Sequence, residues 1–82
     1  METIKDLLNK LNQLNCIFHL KHSIDISCDG SGTILAQNTK NLVEIYYEGF
    51  DSLEELEILI DDLIEHKEYR SLSEIKDEKG LI

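Results

Sequence analysis

Apolar residues recur at helical spacing at the start of the chain and again in its second half. In the first of these segments the apolar positions step by three or four residues, at Ile4, Leu7, Leu8, Leu11 and Leu14. Thr3 and Asp6 stand three residues apart at its start, in the arrangement of a capping box with Asp in place of the usual Glu. The pattern predicts an amphipathic helix over residues 3–15.

Between the two helical segments the period of the apolar residues changes to two. Over residues 16–28 alternate positions share one side, which predicts a half-buried strand: Cys16, Phe18, Leu20, His22, Ile24, Ile26 and Cys28. Residues 29–32, Asp-Gly-Ser-Gly, supply the positive-φ positions of a turn, and residues 33–37 predict a short second strand. Residues 38–41 turn the chain again, and the β-branched and aromatic run over residues 42–48 predicts a third strand. Such short connections predict an antiparallel meander.

The third predicted strand has two different faces. One set of alternate residues is expected to face the core: Val43, Ile45 and Tyr47. The other set would then line the solvent side: Leu42, Glu44, Tyr46 and Glu48. A tyrosine beside carboxylates suits a binding surface, because its ring is apolar while its hydroxyl forms hydrogen bonds.

The second apolar run predicts a helix that starts at Asp51 or Ser52, either of which can cap it. Glu54 and Glu55 fall in its first turn, where the positive end of the helix dipole favours carboxylates. Its expected buried stripe steps by one, three or four residues: Leu53, Leu56, Leu59, Ile60, Leu63 and Ile64. The spacing predicts a helix with one fully apolar face.

After this helix the chain becomes more polar, and two interpretations stay open. Ser71 and Glu74 resemble a capping box, and Gly80 resembles a C-terminal cap, so residues 72–79 could form a short third helix. The same residues could instead belong to a flexible tail over residues 70–82.

The order of these elements predicts one small α+β domain over residues 1–82, with a helix, a three-stranded antiparallel sheet and an acidic helix. An 82-residue chain has room for one modest core, because a chain this short buries only somewhat more than half of its unfolded surface. A deep, water-excluding active site is therefore hard to build. No residues have the diagnostic spacing of a catalytic triad or a phosphate-binding loop, and we expect that the protein is not an enzyme.

The balance of charge indicates the kind of partner. Seventeen Asp and Glu against eight Lys and Arg give a formal charge of −9, which repels phosphate groups and anionic membranes. Direct binding of nucleic acid or membranes is therefore not expected, and a basic protein is the expected partner. The sequence has no apolar run of the length that a membrane-spanning helix or a signal peptide needs, so we expect a cytoplasmic protein.

Carboxylates are densest between Glu44 and Glu68, where Lys67 is the only Lys or Arg. At about 100° per residue, four of them fall opposite the apolar stripe of the second helix: Glu54, Glu57, Asp61 and Glu65. Ile58 lies among them, away from the expected core, as an interface anchor would. Two interpretations stay open: an ordinary solvated face with one scattered aliphatic residue, or a docking surface for a basic groove.

Cys16, His19, His22 and Cys28 are residue types that bind zinc. Their spacing argues against a site, since roughly 20 Å of strand separates Cys16 from His22 and His19 points to the other face. His22 is then a sheet-face residue. Both cysteines are expected to stay reduced and to act as packing residues, because two thiols do not make a disulfide framework in a reducing compartment. We expect no metal and no cofactor.

The succession of a helix, a three-strand meander and an acidic helix over residues 3–68 resembles small inhibitor proteins encoded by bacteriophages. These include anti-CRISPR proteins that block the DNA-binding groove of a nuclease with carboxylates. The resemblance rests on architecture and charge, and no family motif is matched residue by residue. It implies a DNA mimic in a bacterial host, whose acids would stand in for phosphates on an Arg- and Lys-rich surface. Reversing the charges of Glu54, Asp61 and Glu65 is then expected to abolish binding without unfolding the domain.

An adaptor or assembly protein is the alternative. Such a protein would bind through an exposed helix face or a sheet edge, and it could be a homodimer. A DNA mimic is expected to bind with steep salt dependence and to lose to added DNA, whereas an adaptor should be less sensitive to salt. The residues expected to contact a partner are Glu44, Tyr46, Glu48, Glu54, Glu57, Ile58, Asp61 and Glu65.

Overall fold

The computed structural model describes residues 4–80, and within them it has three helices and a three-stranded sheet. The elements run in the order α1 (Ile4–Phe18), β1 (Lys21–Ile26), β2 (Gly32–Gln37), β3 (Glu44–Phe50), α2 (Leu53–His66) and α3 (Leu72–Glu78). The strands lie in the order β1-β2-β3, and both pairs are antiparallel. The predicted α+β class and the predicted meander are therefore confirmed.

One face of the sheet is covered by the helices, and the core lies between the two layers. Ile34 and Phe50 are buried on the sheet side, and all three helices contribute from the other side. The buried cluster consists of Leu11, Leu14, Ile34, Phe50, Leu56, Leu59, Ile60, Leu63, Leu72 and Ile75. Removing each such side chain from water stabilises the fold by roughly 1.5–3 kcal/mol.

The second helix, α2, follows its predicted pattern closely. Ser52, rather than Asp51, is the N-cap, and its hydroxyl accepts a hydrogen bond from the amide of Glu55 at 3.2 Å. The Glu55 carboxylate in turn accepts one from the amide of Asp51, the residue before the cap, at 3.1 Å, so two reciprocal hydrogen bonds hold the start of the helix. Most of the predicted stripe is buried, although Ile64 is only partly buried and Leu53 is 42% exposed.

Residues 72–78 form a helix, α3, which settles the choice that the sequence left open. The hydroxyl of Ser71 caps it by accepting a backbone hydrogen bond from the third residue ahead, at 3.2 Å. Leu72 and Ile75 are buried in the core, so the helix is held to the rest of the fold. It ends at Glu78, and Gly80 follows with a φ of 72°, a conformation that glycine adopts without strain.

The boundary between α1 and β1 differs from the prediction. The helix continues to Phe18 and β1 begins only at Lys21, so Cys16 lies in a helix and not in a strand. Positions 16 and 18 fit an alternating pattern, but Leu14 and Phe18 also stand four residues apart and both pack in the core from one helix face. His19 then adopts a left-handed conformation with a φ of 56°, which ends the helix.

The predicted cap at Thr3 lies outside the described residues. Leu8 was expected in the buried stripe but is 53% exposed, whereas Leu11 and Leu14 are buried. Leu8 is turned about 100° from Leu7 around the helix axis. The side of α1 that contacts the core is narrower than the predicted stripe and does not include Leu8.

The faces of β3 are opposite to the prediction. Ile45 and Tyr47 are 53% and 60% exposed, whereas Tyr46 and Glu48 turn toward the helices and are partly buried. Tyr46, Glu48 and Phe50 share one face, since side chains alternate along a strand. Phe50 is buried in the core and Tyr46 packs against it. These contacts with distant segments decide which face of the strand is buried.

Candidate protein-binding surface

The outer face of α2 carries a row of carboxylates. Glu54, Asp61 and Glu65 lie opposite the buried stripe and are exposed, and Glu57 beside them is partly buried. These four residues are called the acidic face below. From Glu54 to Glu65 the helix rises by about 16 Å, so a carboxylate recurs about once per turn. The arrangement is the one that the helical period predicts.

Other carboxylates of the same region are used inside the protein. Asp62 is 1% exposed and accepts two hydrogen bonds from the guanidinium of Arg70, at 3.0 and 3.1 Å. Glu55 accepts a hydrogen bond from the amine of Lys76 at 2.9 Å. The pKa of Glu55 is lowered mainly by the hydrogen bond from the amide of Asp51, and to a smaller extent by the hydrogen bond from Lys76. Both acids help to hold α3 and the linker before it, residues 67–71, against α2, and they are not free to meet a partner.

One member of the acidic face has an internal partner. Lys10 on α1 donates a hydrogen bond to Asp61 at 2.7 Å. Among residues 4–80, by contrast, no ion pair or side-chain hydrogen bond involves the carboxylates of Glu54, Glu57 or Glu65. Three carboxylates of the acidic face are therefore open to a partner, and Asp61 is already partly neutralised.

The expectation that Ile58 stands away from the core is wrong. Its side chain is partly buried and packs against the hydrophobic cluster. Ile58 is turned about 40° from Glu54 around the helix axis, which puts it at the border of the acidic face. At this border the neighbouring parts of the fold cover some of its surface, so it is not an isolated exposed anchor.

The strand β3 brings none of its predicted residues to the acidic face. Tyr46 points between the layers, where its hydroxyl donates to the carbonyl of Arg70 at 2.6 Å and burial raises its pKa. Glu48 accepts a hydrogen bond from the amide of Leu72 at 3.2 Å, and Glu44 is exposed at the start of the strand. The predicted solvent exposure of Tyr46 beside Glu48 is therefore wrong. The predicted residues that do share one surface are Glu54, Glu57, Asp61 and Glu65.

A shallow hollow of about 570 Å³ opens at the N-terminal end of the acidic face. Its walls are formed by Asp29, Gly30, Ser52, Leu53, Glu54 and Glu57. The carboxylate of Asp29 accepts hydrogen bonds from the hydroxyl and the amide of Ser31, at 2.6 and 3.0 Å, which lower its pKa. Carboxylates around an apolar leucine can receive a Lys or Arg side chain, whose aliphatic stem packs while its charged end stays in contact with the acids.

Sequence reasoning missed an aromatic cluster that holds the linker before α3. The ring of Tyr69 stacks on those of Phe18 and Tyr46, with centroids 4.1 and 4.5 Å apart. Its hydroxyl lies 2.6 Å from Nε2 of the buried His22, whose Nδ1 lies 2.9 Å from Oδ1 of Asn15. These residues come from separate elements and share no period, so no local pattern could have found them. The cluster fixes the linker against α1 and the sheet.

Acidification below about pH 6.5 is expected to destabilise the fold through His22. Burial lowers the pKa of its imidazole from the ordinary value of 6.5, so in this range the unfolded chain binds a proton that the folded chain does not. The contribution of neutral His22 to the free energy of unfolding is fully present above pH 6.5. It is lost as the pH falls through the lowered pKa of the folded state. The neighbouring Tyr69 stays neutral throughout, since burial raises its pKa to about 12.

Urea unfolding between about pH 7.5 and pH 5 measures this effect as a fall in the free energy of unfolding. The His22→Gln variant should lack the fall, and the His19→Gln variant, changed at an exposed position, should keep it. The carboxylates of Glu55 and Glu78 titrate below their ordinary pKa of 4.5, outside this window. An undiminished pH dependence in His22→Gln would show that another group is responsible.

Side chains of the types that bind metal ions do not gather at one point within residues 4–80. In this part of the chain no group of three or more His, Cys, Asp and Glu side chains could hold a metal ion.

Cys16 and Cys28 are exposed free thiols, so the expectation that they act as packing residues is wrong. The helix α1 turns Cys16 outward, and Cys28 follows the end of β1. None of the described helices has the length and apolar content that crossing a bilayer requires.

The fold and the acidic face define the chain as a small α+β domain with a strongly charged helix surface. Comparisons with models of protein families, with curated proteins and with solved structures found no match to it. The resemblance to phage-encoded inhibitors therefore stays a prediction.

Proposed function

We propose that this protein is a non-enzymatic inhibitor whose acidic face occupies the basic, nucleic-acid-binding groove of another protein, as a DNA mimic does. The main support for this function is that some acids of α2 have partners inside the protein whereas others have none. Asp62 and Glu55 are paired inside the protein, whereas Glu54, Glu57 and Glu65 have no ion-pair partner within residues 4–80. None of these three carboxylates forms an ion pair or side-chain hydrogen bond that would hold residues 4–80 together, and Glu54 and Glu57, three residues apart on the helix, repel each other.

Carboxylates along one side of a helix can take the place of phosphates on an Arg- and Lys-rich surface. Guanidinium groups bind carboxylates and phosphates with the same paired hydrogen bonds. The row extends over about 16 Å, and the net charge of −9 attracts a basic partner before contact and speeds association. The hollow beside Leu53 adds a place for one cationic side chain. Inhibition then follows from competition with nucleic acid for the same groove.

Reversing the three open charges of the acidic face is expected to abolish capture of the target. The variant is Glu54→Lys, Glu57→Lys and Glu65→Lys, and its three reversals change the formal charge by six, from −9 to −3. Asp61 is left unchanged because it pairs with Lys10. Tagged wild-type and variant proteins are incubated with bacterial lysate at low and high salt, and mass spectrometry identifies the retained proteins. The wild type should retain a nucleic-acid-binding protein that salt and added duplex DNA displace.

A matched control reverses three exposed acids outside the acidic face: Glu68, Glu74 and Asp77. It has the same formal charge of −3 and should retain the target, while circular dichroism confirms that both variants are folded. Equal loss of capture in both variants would mean that net charge alone is responsible. A target that resists both salt and DNA would favour an adaptor instead. Either result would contradict the proposed function.

A further inference from the structure

The face of the sheet that points away from the helices is uncovered. On this outer sheet face the side chains of β1 and β3 are exposed, and those of β2 are partly covered by the neighbouring strands. The strand pairing places the outward residues in three rows across the sheet: Lys21, Gln37 and Glu44; Ser23, Leu35 and Tyr47; Asp25, Thr33 and Gly49. Ile45 is the extra residue beside Glu44, where the pairing of β2 with β3 is irregular.

An apolar strip follows the β3 side of the outer sheet face. Tyr47 and Ile45 are 60% and 53% exposed, and the adjoining Val43 and Leu42 are 51% and 68% exposed. Leu35 extends the strip to the central strand. Exposed apolar side chains that are grouped on one surface are candidates for an interaction site.

Charged side chains occupy three corners of the same face. Lys21 and Glu44 stand at the two ends of one row, and Asp25 stands at the other end of β1 from Lys21. Within residues 4–80 none of these three charges has an ion-pair partner. Lys21 therefore has a carboxylate at each of the two corners next to it, Glu44 across the strands and Asp25 along β1.

We propose that the outer sheet face binds the same face of a second copy of this chain and forms a weak, symmetric dimer. A two-fold axis along β2 brings Leu35 against its equivalent and places Lys21 opposite Glu44 of the second copy. A two-fold axis across the strands keeps the Leu35 contact and places Lys21 opposite Asp25 of the second copy. Either symmetric arrangement pairs the cation with a carboxylate twice. The axis across the strands also sets the apolar strip of one copy against that of the other, whereas the axis along β2 sets each strip against β1 of the other copy.

The distribution of charge favours a second copy of this chain on the outer sheet face, and the area of the face predicts a weak contact. Packing two sheets face to face leaves the acidic faces on the two far sides of the pair, so the repulsion between these two faces is screened. Three strands about 4.8 Å apart and six residues long cover roughly 300 Å². A stable interface buries about 800 Å² on each partner, so the dimer forms only at high concentration. It does not depend on the function proposed for the acidic face.

Sedimentation equilibrium tests the dimer. Between about 10 µM and 1 mM chain, the average mass of the wild type should rise from 9.5 kDa toward twice that value. Lys21→Glu should raise the dimer dissociation constant about tenfold or more, because it sets like charges opposite each other at two symmetric positions. Adding either Glu44→Lys or Asp25→Lys to that variant should restore the dimer, and the substitution that rescues it identifies the axis.

Lys5→Glu is the matched control, since it changes the net charge equally at an exposed position on α1. It should dimerise as the wild type does, and circular dichroism should show that all variants are folded. A wild type that stays at 9.5 kDa at every concentration would overturn the proposal and would leave the face to another partner or to solvent. Equal weakening by Lys5→Glu, or a Lys21→Glu variant that neither second substitution rescues, would overturn it as well.

Discussion

Replacing Gly32 with alanine is expected to prevent folding or to lower the free energy of unfolding by about 3 kcal/mol or more. Gly32 opens β2 and pairs with both Ile26 and Phe50. A Cβ atom at this position would overlap the carbonyl oxygen of Asp25, and it would lie 2.9 Å from the carbonyl carbon and 3.0 Å from Cζ of Phe50. Because the first contact is with backbone, no side-chain rotation relieves it, and β1 must move away from β2.

The matched control for this substitution is Gly49→Ala, on the neighbouring strand. The nearest heavy atom to a Cβ at position 49 is the carbonyl oxygen of Gly32 at 3.8 Å, which is an ordinary contact. This variant should keep its stability or gain slightly, since alanine restricts the unfolded chain more than glycine does. Urea unfolding followed by circular dichroism compares the two variants. Equal stability of both would show that β1 and β2 do not approach each other as closely at Gly32 as described.

Replacing Arg70 with methionine is expected to destabilise the fold strongly and to loosen α3. The guanidinium of Arg70 donates two hydrogen bonds to Asp62, at 3.0 and 3.1 Å, and Asp62 is 1% exposed. The variant leaves a buried carboxylate whose remaining neighbour is Nε2 of His66 at 3.4 Å. An unpaired buried carboxylate costs about 3–5 kcal/mol. Methionine keeps much of the apolar stem, so the loss reports on charge and not on volume.

Two further variants separate the buried pair from the surface contact of the same arginine. Glu78 also accepts a hydrogen bond from Arg70 but is 55% exposed, so Glu78→Gln should change the stability little. The double variant Asp62→Leu with Arg70→Met removes both charges and should recover most of the lost stability. Thermal unfolding at neutral pH ranks the variants. If Arg70→Met alone melted as the wild type does, the buried pair could not be what fastens the linker to α2.

Local signals were sufficient to predict α2, and they left residues 72–79 open between a short helix and a flexible tail. Ser52 and Ser71 cap their helices through hydrogen bonds to the amides three residues ahead. Caps and helical periods depend on residues within one or two turns of each other, and the sequence displays these directly. The meander was predicted for the same reason, because its turns are short and its strands are consecutive.

The candidate surface was predictable only in part. The positions of Glu54, Asp61 and Glu65 on one side of α2 follow from the helical period. The helical period also turns Asp62 about 100° away from Asp61, toward the edge of the buried stripe, but it does not show that this carboxylate is almost fully buried. The sequence could not show that Arg70, eight positions later, folds back to bind it.

The sequence by itself determined the fold class, the helical segment of α2 and the acidic side of that helix. The tertiary structure decided where α1 ends, which face of β3 is buried and which acids remain open. A strand offers two faces with the same period, and only the packing of Phe50 in the core and of Tyr46 on Tyr69 makes one of them the interior. The same reason applies to Phe18, because its position fits the spacing of a strand and of a helix equally well. The stacking of its ring on Tyr69 is the tertiary contact that goes with the helical conformation.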